Sequence, residues 1–581
     1  MQRAAASVLV TFLVGCVAPL ACARGLPLER SPFGRFVSGA GVADRPALRG
    51  DTTKGNRVLI VNNGNDALLL RIHLIRQATK SIDIQTFIWT NDECGRLLMY
   101  ELIAAARRGV RVRIIADHFV SDKDPGVVAF LSTVSPNLQV KHYRPAAKRI
   151  KPKPHQVLLQ AAFRFRDFNQ RMHNKIVLVD EAVAITGGRN IENSYYNYST
   201  GMTFKDRDVL VMGPVLRDVQ TSFVTFWDCR YAISSLELRD VAKLVADGDF
   251  ARYSSRADFA LNGLFKELLS QVGDSVLIDE RFAARMIDAD RVQFLADRPG
   301  KNRSLWLRGG GRASKALGKL IAGAQRELII QSPYFVVNEK AEKVFRELRA
   351  SRPDLKVTVS TNSFGSTDNT VAYSANYRLR SLYIESLGIH AYEYKPYPGD
   401  LRCVFPAYDE FERRASMRRK SETGPDKPFL CIHAKSFVMD ERVSFIGSFN
   451  LDPRSVNLNT EVGFLITDID VARALRRDIL TDTAPRNSWV INRKQMPLGL
   501  EEANALFEGF VRKTPLDLWP VRNTSSFELR EGQAPVPPDH PDFYDRYRDI
   551  GPFPGAESGL TPKQITTRVY KAVLGVGIPL F

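Results

Sequence analysis

The sequence contains few of the residues that build disulfide scaffolds or structural metal sites. Six cysteines and eight histidines are spread over 581 residues, and no two cysteines have the CxxC spacing. Disulfide scaffolds are dense in cysteine, and structural zinc sites need closely spaced Cys or His ligands. The sequence therefore predicts neither kind of site, and we expect no metal ion and no cofactor.

Apolar runs long enough to span a bilayer are lacking after the first 23 residues. Residues 4–23 carry no charge and follow Arg3, which is typical of an export signal. Segment 13–16 (LVGC) resembles a bacterial lipobox that would leave a lipidated Cys16, segment 21–23 (ACA) fits ordinary cleavage, and an uncleaved anchor is the third alternative. We expect an exported, membrane-associated protein on the periplasmic side of a bacterial cell envelope.

Acidic residues are fewer than basic ones. Asp and Glu number 64 against 82 Lys and Arg, so the formal net charge is +18. A surface this basic attracts polyanions, which include nucleic acid, anionic membranes and phosphorylated substrates. Two basic stretches, 141–153 and 413–420, lie at similar places in the repeat described below. The stretches are open to two interpretations, the rim of a substrate cleft or two solvated loops. In the first, four side chains line the rim, namely Lys148, Arg149, Arg413 and Arg414.

The chain repeats one pattern of helices and strands. Residues 68–117 and residues 316–362 each alternate helix-periodic and strand-like segments in the same order. Strand–helix–strand alternation indicates sheets with helices on their faces, and the duplication indicates two similar units. We predict an α/β fold of two similar halves, each a mixed or parallel sheet flanked by helices, packed face to face around one shared active site.

The same pattern divides the chain into regions. A first half over 55–235 and a second half over 305–475 are joined by a connector over 236–304, and residues 1–23 form the export segment. Residues 480–581 form a C-terminal extension, in which 515–562 contain nine Pro. Because proline punctuates regular structure, residues 515–562 are predicted to form loops and turns over a packed core.

Each half ends in the same short motif. The first reads His173-Asn174-Lys175 and the second His433-Ala434-Lys435, within segments 168–195 and 428–455. In both, Lys follows His at +2, Asp at +7, Gly at +14 and Asn at +17. A single His matches all four positions by chance with a frequency on the order of 10⁻⁵. The duplicated match therefore indicates function.

These residue types suit phosphodiester chemistry. One imidazole can attack phosphorus and form a phosphohistidine, while a second protonates the leaving alkoxide and then deprotonates the incoming hydroxyl. Lysine and asparagine side chains can hold the non-bridging oxygens of the transition state. The predicted catalytic residues are therefore His173, Lys175, Asn190, His433, Lys435 and Asn450. A metal site built on the two histidines is the rival interpretation, against which the adjacent lysines argue because they repel a cation.

The motifs resemble the HxKxxxxD signature of the phospholipase D superfamily, which occurs twice per active site. The resemblance covers about residues 60–470 and is greatest to the cardiolipin synthase C group of bacterial phospholipase D-like proteins. It rests on the segments 171–175 (RMHNK), 187–190 (GGRN), 361–363 (TNS) with 367–368 (TD), and 447–455 (GSFNLDPRS).

The resemblance also implies roles for individual residues. A carboxylate after each motif orients a histidine, and the matching positions are Asp206, with Asp208 as an alternative, and Glu461. By analogy His173 is the nucleophile and His433 the acid and base. Two further residues, the motif aspartates Asp180 and Asp440, lie at strand ends and are expected to be mainly structural.

The substrate implied by the resemblance is a glycerophospholipid. A lipid hydroxyl as acceptor gives cardiolipin from phosphatidylglycerol or phosphatidylethanolamine, whereas water gives a phospholipase D-type hydrolase that releases phosphatidic acid. A phospholipase D-like nuclease is a further alternative, and the export segment makes nucleic acid the less favoured partner. A non-catalytic membrane scaffold is the last alternative, and the two intact motifs argue against it because a scaffold needs neither. Segment 158–166 (LLQAAFRFR) is open to interpretation as an interfacial segment or as core.

Overall fold

The computed structural model describes residues 27–37, 51–118, 121–261, 263–302, 304, 309–417, 427–495 and 523–555. The predicted export segment with Cys16 lies outside these residues, as do 496–522 and 556–581 of the C-terminal extension. Among the described residues, no helix combines the length and the apolar character that crossing a bilayer requires.

The strands before residue 290 are β1 (Asn56–Val61), β2 (Ser81–Thr86), β3 (Arg111–Asp117), β4 (Leu138–Tyr143), β5 (Ile176–Val179), β6 (Val183–Gly187), β7 (Met202–Lys205), β8 (Asp208–Met212), β9 (Ala232–Ser234) and β10 (Ile287–Ala289). Those that follow are β11 (Arg291–Ala296), β12 (Glu327–Gln331), β13 (Lys356–Asn362), β14 (Ile389–Tyr394), β15 (Phe429–Ile432), β16 (Ser436–Met439), β17 (Val443–Gly447), β18 (Val462–Thr467), β19 (Ser488–Arg493), β20 (Thr524–Leu529) and β21 (Tyr547–Gly551).

The α-helices lie between and after these strands. They are α1 (Gly34–Val37), α2 (Gly64–Gln77), α3 (Glu93–Arg107), α4 (Pro125–Thr133), α5 (Pro154–Phe163), α6 (Phe165–Asn169), α7 (Leu216–Trp227), α8 (Arg239–Asp247), α9 (Lys266–Gln271), α10 (Ser275–Arg281), α11 (Arg312–Ile321), α12 (Glu339–Ser351), α13 (Thr370–Arg378), α14 (Leu401–Val404), α15 (Tyr408–Ser416), α16 (Pro453–Asn457), α17 (Ile469–Thr483) and α18 (Phe543–Arg546).

The strands form two large mixed sheets and one small sheet. The first sheet has the order β10-β1-β8-β6-β5-β2-β3-β4-β9, and the second has β11-β18-β17-β16-β12-β13-β14-β19-β20-β21. In each large sheet, three neighbouring strands are parallel, namely β2, β3 and β4 in the first and β12, β13 and β14 in the second. The strand that follows the motif, β5 or β16, pairs with the first of these three in the antiparallel direction. The duplication and the α/β fold class predicted from the sequence are confirmed.

Equivalent helices begin in the same way in both halves. The Asp92 side chain accepts a hydrogen bond from the amide of Gly95 at the start of α3, and Asn338 does the same for Ala341 at the start of α12. Such caps satisfy amides that have no partner within the helix. Gly109, at φ +99°, then reverses the chain between α3 and β3, a conformation that favours glycine.

A hydrophobic core lies between the two sheets. It combines buried side chains of the first sheet (Val58, Ile176, Val209) with buried side chains of the second (Ile329, Val438, Phe464). Helices α7 and α17 border this core through Val219 and Leu475. Because one cluster takes residues from both sheets, the sheets face each other. The motif strands β5 and β16 are therefore brought into one region.

The regions outside the repeat add strands at the sheet edges. The connector supplies β10 to the first sheet and β11 to the second. The C-terminal extension adds β19, β20 and β21 to the second sheet. Of these, β20 and β21 lie within 515–562, for which the sequence predicted loops and turns. The prediction fails here because the prolines of 535–541 and of 552–554 lie between or after these strands, where they remove no ladder hydrogen bond.

Candidate active site

The two motif histidines precede equivalent strands and bring their lysines with them. His173 and Lys175 lead into β5, and His433 and Lys435 lead into β16. Lys175 Nζ donates to the His173 carbonyl oxygen over 2.8 Å, and Lys435 Nζ donates to the His433 carbonyl. The four side chains are buried, with exposures between 1% and 6%. Each motif therefore places an imidazole and an ammonium group together.

Each histidine is oriented by a carboxylate from the other half. His173 Nδ1 lies 2.9 Å from Glu461 Oε2, and His433 Nδ1 lies 2.6 Å from Asp206 Oδ2. Backbone pairing crosses in the same way, because the His173 amide donates to Thr460 and the His433 amide donates to Lys205. The two Nδ1 atoms are thus occupied, which leaves Nε2 of each ring for chemistry. A single site therefore contains residues of both halves.

Asp206 and Asp208 have different surroundings. Asp208 lies in β8 between Arg71 and Arg189, at 2.9 Å and 3.1 Å from their guanidinium groups. Asp206 accepts from His433 and, through Oδ1, from the amide of Arg207 at 2.7 Å. Of the two alternatives left by the sequence, Asp206 is the one that contacts a histidine.

Hydroxyl groups hold the second carboxylate. Ser448 Oγ donates to Glu461 Oε2 over 2.6 Å, and Ser455 Oγ donates to Oε1 over 2.7 Å. The Glu461 amide donates to Asp297, which also pairs with Lys301. Both serines belong to the GSFNLDPRS segment after the second motif. That segment therefore positions Glu461 and, through it, His173 of the first half.

Burial and charge shift the pKa values in this site. Burial, with Lys175 and Lys435 nearby, lowers the pKa of His173 well below its usual range. Burial and then Lys435 lower the pKa of His433 to about 4. Burial likewise lowers the pKa of Lys435 to about 8. In the free protein near neutral pH, both imidazoles are therefore neutral and able to act as nucleophile or base.

The two carboxylates are shifted in opposite directions. Burial raises the pKa of Glu461 to about 8, although Lys175 opposes this. Burial would also raise the pKa of Asp206, but His433 and Lys435 outweigh it and lower the pKa to about 2. Asp206 is therefore a permanent anion beside His433, whereas Glu461 is more easily protonated. The site is symmetric in composition and asymmetric in charge.

The motif asparagines also lie in this region, with different partners. Asn190 Nδ2 donates to the Tyr195 hydroxyl over 2.7 Å, and its Oδ1 accepts from the Ile88 amide at 3.2 Å. Asn450 is also buried, and among the residues that the structure describes its Oδ1 has no hydrogen-bond partner. A buried polar group without a partner is costly in a resting protein and suits a site that binds a polar substrate.

The motif aspartates support the fold. Asp180 accepts from the amides of residues 79–81, and Asp440 accepts from the amides of residues 325–327. Each carboxylate thus fixes the turn after a motif strand to the start of the neighbouring antiparallel strand, β2 or β12. Neither has a hydrogen bond to a motif histidine among the described residues.

The four predicted rim cations lie on two separate elements. Lys148 is exposed and Arg149 half-buried in the turn after β4, whereas Arg413 and Arg414 are exposed on α15. The Arg414 guanidinium lies over the Phe411 ring, and Arg413 Nε donates to the Asp409 carbonyl. In the part of the chain that the structure describes, no hydrogen bond or ion pair joins these four side chains to a histidine, so their substrate role stays a prediction.

Further side chains lie around the histidines, and the sequence did not predict Phe87 among them. The Phe87 ring contacts the His173 ring edge-on at 4.7 Å, and Tyr195 contacts the His433 ring at 5.1 Å. Tyr195 also lies 3.5 Å from His433 Nε2 through its hydroxyl. Arg171 pairs with Asp117 immediately before the motif, at 2.7 Å. The position of Asp117, at the end of a repeat strand, was the one available indication, because polar residues at carboxyl ends of parallel strands often line sites.

Comparison with known proteins identifies the family. The family model described as "Cardiolipin synthase, PLD-like domain" matches residues 71–227 and 317–482, and each part contains one motif. Cardiolipin synthase C of Escherichia coli (strain K12) is 30% identical over 423 residues, which cover 71% of this chain and 81% of that protein. Cardiolipin synthase B of Salmonella typhi is 22% identical over 432 residues, covering 73% and 80%.

Solved structures show a weaker likeness. A crystal structure of phosphatidylserine synthase from Haemophilus influenzae Rd KW20 covers 73% of this chain and 86% of that chain, at 15% identity and a TM-score of 0.47. The family model and the relative at 30% identity decide the assignment, because the model spans both motifs and the relative matches 71% of this chain. This protein belongs to the cardiolipin synthase-like family of phospholipase D-like enzymes.

Proposed function

We propose that this protein is a phosphatidyltransferase that forms cardiolipin or a related diphospholipid through a phosphohistidine. The observation that supports this proposal most strongly is the pair of histidine–carboxylate contacts between the two halves, His173 with Glu461 and His433 with Asp206, in one buried site. Two histidines that are held by carboxylates through Nδ1 and not through Nε2, together with two lysines, are what a two-step transfer at one phosphate requires.

In the first step, His173 Nε2 attacks phosphorus of the donor phospholipid. The bond from phosphorus to the head-group oxygen breaks, and the leaving alkoxide takes a proton from Nε2 of protonated His433. Because burial lowers the pKa of His433 to about 4 in the free protein, the anionic phosphate and Asp206 must stabilise its protonated form once substrate is bound. Lys175 and Lys435 stabilise the charge on the non-bridging oxygens.

In the second step, His433 acts as the base. It removes the proton of an acceptor hydroxyl, the oxygen attacks phosphorus, and the bond to His173 Nε2 breaks. A hydroxyl of a second lipid yields a diphospholipid, and water yields phosphatidic acid. The similarity to proteins named cardiolipin synthase supports the lipid acceptor, and we propose phosphatidylglycerol or phosphatidylethanolamine as donor.

The test is product analysis with purified protein and vesicles of phosphatidylglycerol. We expect a diphospholipid and free glycerol in equal amounts. Phosphatidic acid with glycerol would replace the transferase by a hydrolase on the same site. Absence of any lipid product, combined with cleavage of single-stranded DNA, would overturn the lipid proposal in favour of a nuclease.

We also propose that α5 and α6 hold the protein on an anionic membrane. Among the described residues α5 has no buried side chain, and Leu158, Leu159 and Phe163 are 70%, 54% and 83% exposed. Phe165 in α6 is 45% exposed. The exposed cations Lys151, Lys153 and Arg164 flank them. An exposed apolar face with basic neighbours fits the interface of an anionic bilayer, which agrees with the export expected from residues 1–23.

Removing this apolar surface should weaken vesicle binding. We expect the double variant Leu158→Glu, Phe163→Glu to bind anionic vesicles at least about tenfold more weakly, because two apolar side chains are lost and two charges oppose the lipid. Cosedimentation with phosphatidylglycerol vesicles measures the change. Val276→Glu is the matched control, since Val276 is 64% exposed on α10. Equal binding by wild type and the double variant would contradict this role.

A further inference from the structure

The segment that follows β13 lies against the strand that leads to His433. At the end of β13, Asn362 Nδ2 donates to the Ile432 carbonyl and Asn362 Oδ1 accepts from the Ile432 amide, both over 2.8 Å. Ile432 is the last residue of β15, and His433 follows it directly. The motif segment 361–363 therefore fixes the backbone immediately before the acid–base histidine.

The second part of that motif, 367–368, places a carboxylate on the same strand. Asp368 is exposed, its Oδ2 accepts from the Tyr334 hydroxyl over 2.6 Å, and its Oδ1 lies 4.0 Å from Cys431 Sγ. An ionised carboxylate offers about four acceptor positions, so both oxygens can accept further hydrogen bonds. The protein thus fixes this side chain and leaves it able to bind a donor that arrives from solvent.

Cys431 relates the carboxylate to the catalytic imidazole. Cys431 and His433 are two residues apart at the end of β15, and side chains two apart on a strand project from the same face. The ring of Phe204, the partner of Cys431 in the register with β7, contacts the His433 ring at 4.7 Å, which agrees with a shared face. Because two residues of strand rise by about 7 Å, the Asp368 carboxylate and the His433 imidazole are neighbours on that face.

The charge of Asp368 also acts at the reactive side of His433. The Tyr195 hydroxyl lies 3.5 Å from His433 Nε2. Burial raises the pKa of Tyr195 well above its usual range, and the charges of Glu192, Asp206 and Asp368 raise it further. Since solvent and salt screen charges over about 10 Å, Asp368 lies close to the hydroxyl that marks the Nε2 side.

The head group of a donor lipid must occupy this side of the site. In the transfer proposed above, His433 Nε2 protonates the head-group oxygen as it leaves phosphorus. A chain of two or three carbons, at ~1.5 Å per bond, spans roughly 4–5 Å, and a hydrogen bond of ~3 Å is added at each end. A hydroxyl or ammonium group at the end of such a chain therefore reaches Asp368 while the ester oxygen stays at His433.

We propose that Asp368, held by the Tyr334 hydroxyl, selects the head group of the donor lipid by accepting a hydrogen bond from its terminal hydroxyl or ammonium group. The inference rests on the proposed function, because it names the residue that recognises the head group of that substrate. The ligand class is a head group with a hydrogen-bond donor two or three carbons from the phosphoester oxygen. Glycerol and ethanolamine supply such a donor, whereas a propyl group does not.

Single turnover with protein in excess tests this recognition on the donor step alone. The probes are dihexanoyl phosphatidylglycerol and dihexanoyl phosphatidylpropanol, whose head groups have the same number of carbons and differ in the hydroxyls. We expect the ratio of glycerol release to propanol release to fall about tenfold or more in Asp368→Ala, because only the glycerol head group loses a hydrogen bond to the carboxylate. An unchanged ratio would overturn the proposal. Asp409→Ala is the matched control and should keep the wild-type ratio, since Asp409 is an exposed aspartate on α15 that pairs with Arg402.

Binding without turnover gives a second measurement. Calorimetric titration of the His173→Ala protein with the same two lipids, below their micelle-forming concentrations, measures affinity while the nucleophile is absent. We expect phosphatidylglycerol to bind about tenfold more tightly than phosphatidylpropanol, and the double variant His173→Ala, Asp368→Ala to bind both within about twofold. A preference that persists in the double variant, or that is absent from the single variant, would contradict the role of Asp368.

The two measurements separate this inference from the proposed function. A head-group preference in binding that requires Asp368, without release of any head group, supports the site and rejects the transferase. Release of head groups at a ratio that Asp368→Ala leaves unchanged, with equal binding of the two lipids, rejects the site and leaves the transferase.

Discussion

Replacement of His433 or of His173 by alanine should reduce lipid turnover by roughly five orders of magnitude, as expected when a nucleophile or its acid–base partner is removed. Both imidazoles are buried in one site and each is held by a carboxylate. Because they act as a unit, the double variant should lose no more than about the same factor. His390→Ala is the control, since His390 is half-buried on β14 and pairs with Asp539.

The two histidine variants should differ with an activated substrate. Phosphatidyl-p-nitrophenol has a leaving group that needs no proton, so the first step needs the nucleophile but not the acid. We expect His433→Ala to release about one equivalent of p-nitrophenol per protein in a burst and then to stall. His173→Ala should release none. A burst from His173→Ala but not from His433→Ala would reverse the two roles.

Replacement of Asp206 by asparagine should reduce turnover by about 10⁴-fold, the loss expected when a buried carboxylate that sets a histidine tautomer becomes an amide. Both Asp206 oxygens accept from N–H groups, one from the Arg207 amide and one from His433 Nδ1. The amide –NH₂ of asparagine must face one of these donors. The result is either an unpaired buried donor or a histidine with its proton on Nε2.

The matched change Glu461→Gln should reduce turnover less than Asp206→Asn does, and the two losses should differ by about tenfold or more. The partner of Glu461 Oε1 is the Ser455 hydroxyl, which can rotate and accept from the glutamine –NH₂. The other oxygen can still accept from His173 Nδ1. Burial also raises the pKa of Glu461 to about 8, so a neutral side chain differs less from the native state.

The nitrophenol burst separates positioning from folding in these two variants. Asp206→Asn acts through His433 of the other half, so its burst should persist while the second step is slow. The opposite pattern would contradict this pairing. If Asp206→Asn lost the burst, while Glu461→Gln kept the burst and then turned over slowly, each carboxylate would serve the histidine of its own half. Thermal unfolding of both variants checks that the fold is retained.

The chemistry of the site could be predicted from the sequence, whereas its cross-connections could not. The spacing from His173 to Asn190 is local, and its repetition from His433 to Asn450 is visible without a structure. Which carboxylate meets which histidine depends on how the two sheets face each other. Asp206 lies 227 residues from His433 along the chain and is in contact with it, so spacing carries no information about that pair.

The C-terminal extension shows another limit of the sequence. Proline content predicted loops and turns over residues 515–562, but proline is excluded only from positions that donate to a ladder, so β20 and β21 form on either side of the Pro-rich segment.

Lipid mass spectrometry of membranes from cells that express wild type or His433→Ala tests the central claim most directly. The claim is that the crossed pair of histidines transfers a phosphatidyl group between lipids. We predict a cardiolipin-type diphospholipid that accumulates with wild type and is absent with His433→Ala at equal protein level. A diphospholipid content that is unchanged by wild type, or one that rises equally with His433→Ala, would contradict it.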